Sequence, residues 1–441
     1  HSFTALLGHE FVDYDFKTQY ARSTGQNDDR LMLLTHGTEG KITESSKSEY
    51  AFLSYFGRVE YDFAEKYFLD LSLRNDASSR FGKDNRSAMF WSSGAMWHAK
   101  KEDFLKDINW LNSLTFKISV GTSGNAEIGN YSSYALVGTS ESDIYYGTST
   151  SNQYNGGSGW SIDAPGNPRL SWEEQIKSTF GVSFGVFDML RADIQFYNRV
   201  TSSMLMDVPY PYTSGFAEIT ENVGKFQNRG VDLNVNFDVW SDNKDNYVTP
   251  YVNFNYNKDK VLELFQNKDS WVIPNTGVSY VVGESVSYFY PIFHQVNSDT
   301  GAPEWFVPGD DNTKNQEDPE RVTSDFNEAA LEQNTGISRY APFNGGFGLS
   351  ASFSGFYLQA DFAFSLGKYL IVNDAYFFEN PNGFTGFNQR KKVSNYWKQP
   401  GDIAEFPDYD NYLFTEFDSR MIENASFTRL KNITLGYIVP K

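Results

Sequence analysis

The stretch SESDIYYGTSTSNQYNGGSGW, residues 140–160, sets Tyr145, Tyr146, Tyr154 and Trp160 among small polar residues. Flat rings offer stacking faces, and Ser, Thr and Asn offer partners for hydroxyl groups. That is the chemistry of a sugar-binding loop. The same rings would also serve to pack the loop on its neighbours or on a partner. Trp271, Trp305, Tyr288 and Tyr290, within the segment 259–341, have the same two readings. So long a segment without regular structure is usually functional or disordered.

Catalytic patterns are missing. The five histidines are His1, His9, His36, His98 and His294. No two are spaced i, i+4, and there is neither an H-E-x-x-H nor a G-x-S-x-G pattern. The absence of cysteine removes thiolate catalysis, cysteine-held metals and disulfides together. Glu173 and Glu174 are adjacent on an extended chain, so they point to opposite faces and cannot act as an acid–base pair. Gly345, Gly346 and Gly348 precede no helix, so they are not a phosphate loop; within a strand they permit a bend or a close approach. No enzyme activity and no cofactor is expected.

The chain has 441 residues, a formal charge of −19 and 17% aromatic residues, with 38 Phe and 28 Tyr. An acidic chain lacks the basic footprint of a nucleic-acid partner. No run approaches 18 apolar residues, so no membrane helix is expected. The mean hydropathy of −0.50 does not exclude a membrane barrel, whose strands alternate and average towards neutral.

Alternation with period two recurs along the whole chain. In YFLDLSLR, Tyr67, Leu69, Leu71 and Leu73 fall on one side, while Asp70, Ser72 and Arg74 take the other. In VDLNVNFDV, Val231, Leu233, Val235, Phe237 and Val239 oppose Asp232, Asn234, Asn236 and Asp238. The pattern predicts roughly twelve long strands, at 2–16, 48–62, 67–75, 88–98, 113–122, 171–186, 191–206, 220–239, 247–258, 342–353, 356–372 and 422–438. Glu102 to Leu111 is the single modest helix candidate.

Short and long connections alternate. Short turns on one side and long loops on the other are the rhythm of an outer-membrane barrel. Many of the strands are long enough to cross a bilayer, which takes about 9–11 tilted residues. Tyr61, Tyr67, Trp97, Trp240 and Tyr437 lie near strand ends, where an interfacial girdle would sit. The polar set Asp193, Gln195, Asp232, Asn234, Asn236, Asp238, Gln359 and Asp361 would face the interior. There it could line a solute path or bond to water and to whatever fills the interior. The expected fold class is all-β, an antiparallel transmembrane β-barrel. A soluble all-β carbohydrate-binding or adhesion protein is the alternative, with its apolar stripe covered by protein.

Several stretches carry a family resemblance in order from end to end: LGHEF, YFGRVEYDFAEKYFLDLSLRNDASSRFG, FWSSGAMWHAKKEDFL, LNSLTFKISVGTSGNAEIGNY, NPRLSWEEQ, NVGKFQNRGVDLNVNFD, APFNGGFGLSASFSGFYL and MIENASFTRLKNITLGYIVPK. With these the chain resembles the C-terminal two-fifths or so of a SusC-like TonB-dependent transporter (the SusC/RagA family) of Bacteroidota. The resemblance implies an outer-membrane location and a barrel of about 22 strands closed by a plug, of which about twelve are covered here. On that expectation residues 1–441 are part of a barrel domain, with plug, TonB box, signal peptide and last strands lying outside it. It also implies a SusD-like surface lipoprotein as partner, the TonB complex acting through the missing N-terminal region, outer-membrane lipid around the wall, and an oligosaccharide or peptide as substrate. Many relatives carry a calcium-like Asp-rich turn in the region of loop 299–332. Here the nearest match is Asp310, Asp311 and Asn312, without the turn glycine that such a loop needs. A solvated acidic surface loop is the plain expectation there.

Overall fold

The computed structural model describes the chain except residues 139–152, 155–156, 159–160, 217, 243–245, 274–275, 328–330 and 440–441, and gives the backbone alone at 40–43, 138, 153–154, 157–158, 161, 163 and 212. Twelve long strands carry the fold. They are β1 (Ser2–Thr24), β2 (Glu39–Phe63), β3 (Tyr67–Ser78), β4 (Ser87–His98), β5 (Leu111–Asn125), β6 (Glu173–Val186), β7 (Leu190–Ser202), β8 (Lys225–Phe237), β9 (Tyr247–Glu263), β10 (Phe343–Phe353), β11 (Phe356–Leu366) and β12 (Phe427–Tyr437). Each corresponds to one of the strands read from alternation.

The chain divides into two units. The first comprises His1–Ala95, Ser119–Lys177 and Thr201–Gly224. Here β1 pairs antiparallel with β2 from Ser2↔Asp62 to Thr24↔Glu39. Strand β2 pairs with β3 only from Phe52↔Ser78 to Phe63↔Tyr67. The upper half of the β1–β2 hairpin therefore continues beyond β3 as a two-stranded ribbon. The second unit comprises Met96–Ile118, Ser178–Val200 and Lys225–Lys441. Here β8 to β12 pair antiparallel, each with the next in the chain.

The opposite faces of β3 differ as the sequence predicts. Leu69, Leu71 and Leu73 are 43%, 44% and 51% exposed, whereas Asp70, Ser72 and Arg74 are half-buried. The apolar side is thus the one without protein against it. In the second unit Ile118, Phe180, Phe196, Leu430 and Leu435 are likewise exposed. The buried apolar clusters lie mainly off these strand faces, in the long connections. One joins Val261, Leu264, Val278 and Val286, a second joins Trp305, Leu331 and Leu413, and a third joins Val393, Phe406 and Phe414.

Aromatic rings gather at the short turns. Phe63 lies 6.1 Å from Tyr67, Trp110 stacks on Phe187 at 5.8 Å, and Phe356 lies 4.6 Å from Tyr437. The two-residue turn Ser354–Gly355 joins β10 to β11 with both φ angles positive, 50° and 86°. That is the hairpin geometry whose twist matches its strands.

Three expectations need correction. Glu102 to Leu111 forms no α-helix; a 3-10 turn, Ala99–Lys101, is followed by hydrogen-bonded turns. Lys100 explains this, because its Nζ donates to the carbonyls of Leu105, Lys106 and Ile108 at 2.9, 3.0 and 2.7 Å. A helix would aim those carbonyls along its own axis. The segment 17–47 is mostly strand rather than loop, since β1 reaches Thr24 and β2 begins at Glu39. The segment 259–341 is not irregular either. It holds short strands such as Ser270–Ile273, Val278–Val281, Ser287–Pro291 and Glu332–Ser338, which pair into a small sheet.

Candidate functional site

The wall strands turn their polar side chains to one face, and these bond to one another. In the first unit Arg58 Nε donates to Asp70 at 2.5 Å, and Arg74 reaches Asp76 at 2.5 Å and Glu10 at 3.0 Å. In the second, Lys117 Nζ lies 3.1 Å from Asp193, which also accepts from Ser183 and Gln195. Arg191 pairs with Asp238 at 2.8 Å, and Asn255 donates to Asp232 at 2.7 Å. Tyr251 donates to Asp361, which also accepts from Gln359 and Asn432. Asn234 and Asn236 are exposed. The predicted interior set thus shares one face, as an alternating strand requires.

Gly348 makes the Tyr251 bond possible. It lies opposite Tyr251 in the β9–β10 register. A Cβ there would come within 2.6 Å of the Tyr251 hydroxyl and 2.5 Å of the Ala360 carbonyl. Only glycine leaves room for the phenol to lie flat across the wall.

Where the wall of the second unit meets its long connections, a recess of about 700 Å³ opens. Arg199, Arg339 and Lys368 line it, with Asn228, Asn255 and Asn257 between them. Asp232 is its one carboxylate. The recess is a polar cradle that would hold hydrogen-bonding solutes by their oxygens.

The long connections of this unit are tied together by buried charge. Asp418 is fully buried, and Arg420 grips it through Nε at 2.9 Å and Nη2 at 2.6 Å. The guanidinium in turn lies 4.1 Å from the ring centre of Phe293. Glu379, also buried, takes Arg390 at 2.6 Å and Lys392 at 2.9 Å. Beside these pairs lies a cavity of about 730 Å³, lined by His294, Glu379, Lys392, Asp402, Glu405 and Arg420 among others.

The aromatic candidates fare differently. Tyr145, Tyr146 and Trp160 lie outside the described residues. Tyr154 lies in the short strand Gln153–Tyr154, described by its backbone alone. Trp305 is fully buried, with Nε1 donating to Asp418 at 2.8 Å. It offers no surface to a solute, and its role is to hold the connection together. Trp271 stacks on Tyr280 at 6.0 Å and meets Phe265 edge-on at 5.2 Å. The Tyr288 hydroxyl donates to the Tyr369 carbonyl at 3.0 Å, and burial raises its pKa.

At the acidic turn, Asp311 pairs with Lys314 at 2.8 Å and accepts from the Thr313 amide at 3.2 Å. The ammonium, aided by Thr313, holds the Asp311 carboxyl down at about 2. The side-chain amide of Asn312 donates to the Glu332 carbonyl. Among the described residues no group of three His, Asp or Glu is placed to hold a metal.

The residues that sequence reasoning missed are Glu379, Arg390, Asp418 and Arg420. Their signal is spread over connections without periodicity, and only the adjacent Asp-Ser-Arg at 418–420 hints at a local pair.

No family model matches the chain. It is 25% identical over 481 residues to TonB-dependent receptor P39 of Formosa agariphila, covering 99% of this chain and 45% of the relative. It is 27% identical over 472 residues to TonB-dependent receptor SusC of Bacteroides thetaiotaomicron, covering 97% and 44%. Among solved structures, that of the RagAB peptide transporter superposes with a TM-score of 0.89 at 40% identity, over 99% of this chain and 47% of that one. The RagAB peptide importer in its closed-closed state gives 0.87 at 39% identity, over 99% and 47%. The chain thus spans a little under half the length of these relatives.

Proposed function

We infer that this SusC-like chain, a portion of an antiparallel transmembrane β-barrel of the outer membrane, supplies wall and outer loops to an active importer. The observation that carries this reading is the exposed row Leu69, Leu71 and Leu73 on β3, backed by the half-buried polar row Asp70, Ser72 and Arg74. A soluble sheet would cover such a row with protein. Lipid covers it in a barrel, with the polar row inside. The soluble binding-protein alternative therefore has no support in this wall.

Transport belongs to the whole protein. The proposal is uptake of peptides or oligosaccharides, powered by the TonB complex through a region N-terminal to this chain. A SusD-like surface lipoprotein would seat on the long connections, whose buried ion pairs make them a firm base. Of the two cargo classes, peptides are the first to test, since the RagAB peptide transporter is 40% identical over nearly all of this chain. The interior carboxylates Asp70, Asp193 and Asp238 are each engaged by a cation, which supports a role in bracing the wall.

The test is made on the full-length protein from outer membranes. Detergent phase separation should carry it into the detergent phase, with a lipoprotein co-purifying. Cells lacking it should lose growth on oligopeptides or on oligosaccharides, and the class lost names the cargo. A protein that stays in the aqueous phase would refute the reading.

A further inference from the structure

On β8 and β9 the exterior face changes character at one level. Val231 lies opposite Tyr256 and Leu233 opposite Phe254, as the apolar stripe requires. One step nearer the long connections, Arg229 lies directly opposite Lys258, and Gln227 opposite Lys260. These residues share the face of Val231 and Tyr256, because side chains alternate. Arg229, Lys258 and Lys260 are all exposed.

Like charges directly opposite one another destabilise a sheet. Nothing in the described structure relieves this pair, for none of the three cations has a carboxylate within 4.0 Å. Asp259, between the two lysines, points to the other face, where it is buried and accepts from the Val286 amide at 2.8 Å. Glu263 lies further along, opposite Lys225. The interior cations Arg58, Arg74, Lys117 and Arg191, by contrast, all have acidic partners. The three cations and the apolar residues Phe196, Val231 and Tyr256 line one groove of about 540 Å³, with Gln227 and Asp259 also at its wall. Asp259 is its one carboxylate against three cations.

The groove is amphipathic and lies where the lipid-facing stripe ends. Strand β8 begins, and β9 ends, at long connections. In an outer-membrane barrel these face out of the cell. We propose that Arg229, Lys258 and Lys260 bind the phosphate of a lipid headgroup in the outward leaflet, with an acyl chain laid along Phe196, Val231 and Tyr256. Charge complementarity selects the headgroup, and the apolar lining selects a lipid over a free anion. The proposal rests on the membrane reading of the wall.

The test uses the full-length protein in a neutral detergent and measures binding of dioctanoyl phosphatidic acid, with dioctanoyl phosphatidylcholine and inorganic phosphate as the other arms. The wild type should prefer phosphatidic acid, and inorganic phosphate should not displace it at equal concentration. Each basic residue near an anionic surface contributes roughly a fivefold gain, so the triple variant R229Q/K258Q/K260Q should bind about a hundredfold more weakly. Should the triple variant fail to fold, Lys260→Gln alone should lose about fivefold, and Lys258→Arg should keep the binding. Unchanged binding in the Gln variants would overturn the proposal, and so would displacement by inorganic phosphate, which would make this a free-anion site. A protein that enters detergent without preferring the anionic lipid fails this proposal alone, whereas one that stays in the aqueous phase fails the membrane reading itself.

Discussion

The indole Nε1 of Trp305 donates to the buried carboxylate of Asp418 across 2.8 Å, joining residues 113 apart in the chain. Arg420 grips the same carboxylate through both of its oxygens. Two long connections are thereby fastened at a point that neither could form alone.

Removing the carboxylate should therefore loosen both connections at once. Asp418→Ala leaves Arg420 and the Trp305 indole without their acceptor. Breaking a buried pair in this way costs about 3–5 kcal/mol. Limited proteolysis should show new cuts within 299–332 and 373–421, while the wall strands stay protected. Trp305→Phe removes the N–H donor and also part of a fully buried ring. It should loosen them by about 1–3 kcal/mol for the lost hydrogen bond, plus the cost of the cavity left behind.

The lipid-facing row of β3 gives a sidedness test. Leu71→Arg places a charge on the exposed apolar face, at a cost of about 2–4 kcal/mol near the bilayer midplane. Assembly of the full-length protein into membranes, read from its heat-modifiable mobility on gels, should fall. Ser72→Arg, on the polar face, should assemble normally.

The turn at Lys100 should be sensitive to that one ammonium. Lys100→Met keeps the aliphatic stem and removes the donor to three carbonyls. A hydrogen bond from a charged group contributes about 1.5–3 kcal/mol. Hydrogen exchange across 99–110 should quicken, with little change on the long connections.

Acid should release the Asp311 turn late. Its pKa in the fold, about 2, lies below the ordinary 3.8, because the charged form is held by Lys314 and Thr313. The stabilisation is complete above the unfolded value, near pH 4, and disappears as pH falls towards 2. Exchange at the Thr313 amide should stay constant from pH 7 to about 4, after correction for intrinsic rates, and rise below that. Lys314→Ala should move the rise to higher pH. Calcium should leave the turn's protease resistance unchanged, since the ammonium already occupies the cation's place.

The wall can be read from the order of residues along the chain. Period-two alternation is a local property, readable at Leu69, Leu71 and Leu73 without a partner, because a strand's two faces follow from its backbone alone. All twelve long strands, and the polar faces of strands such as β3 and β8, are legible for that reason. Strand length was less so: β1 and β2 run on through polar residues that alternation does not mark, and pairing between them carries the extension. The rest depends on contacts between residues far apart in the chain. Residue type leaves Trp305 either a solute contact or a packing ring, and the fold makes it core, because Asp418 arrives from a distant connection to satisfy its N–H. The facing of Arg229 and Lys258 depended on register, which the chain's local chemistry does not state. The helix expected after Lys100 lost to an ammonium that draws three carbonyls inward, a competition visible only once the turn has folded.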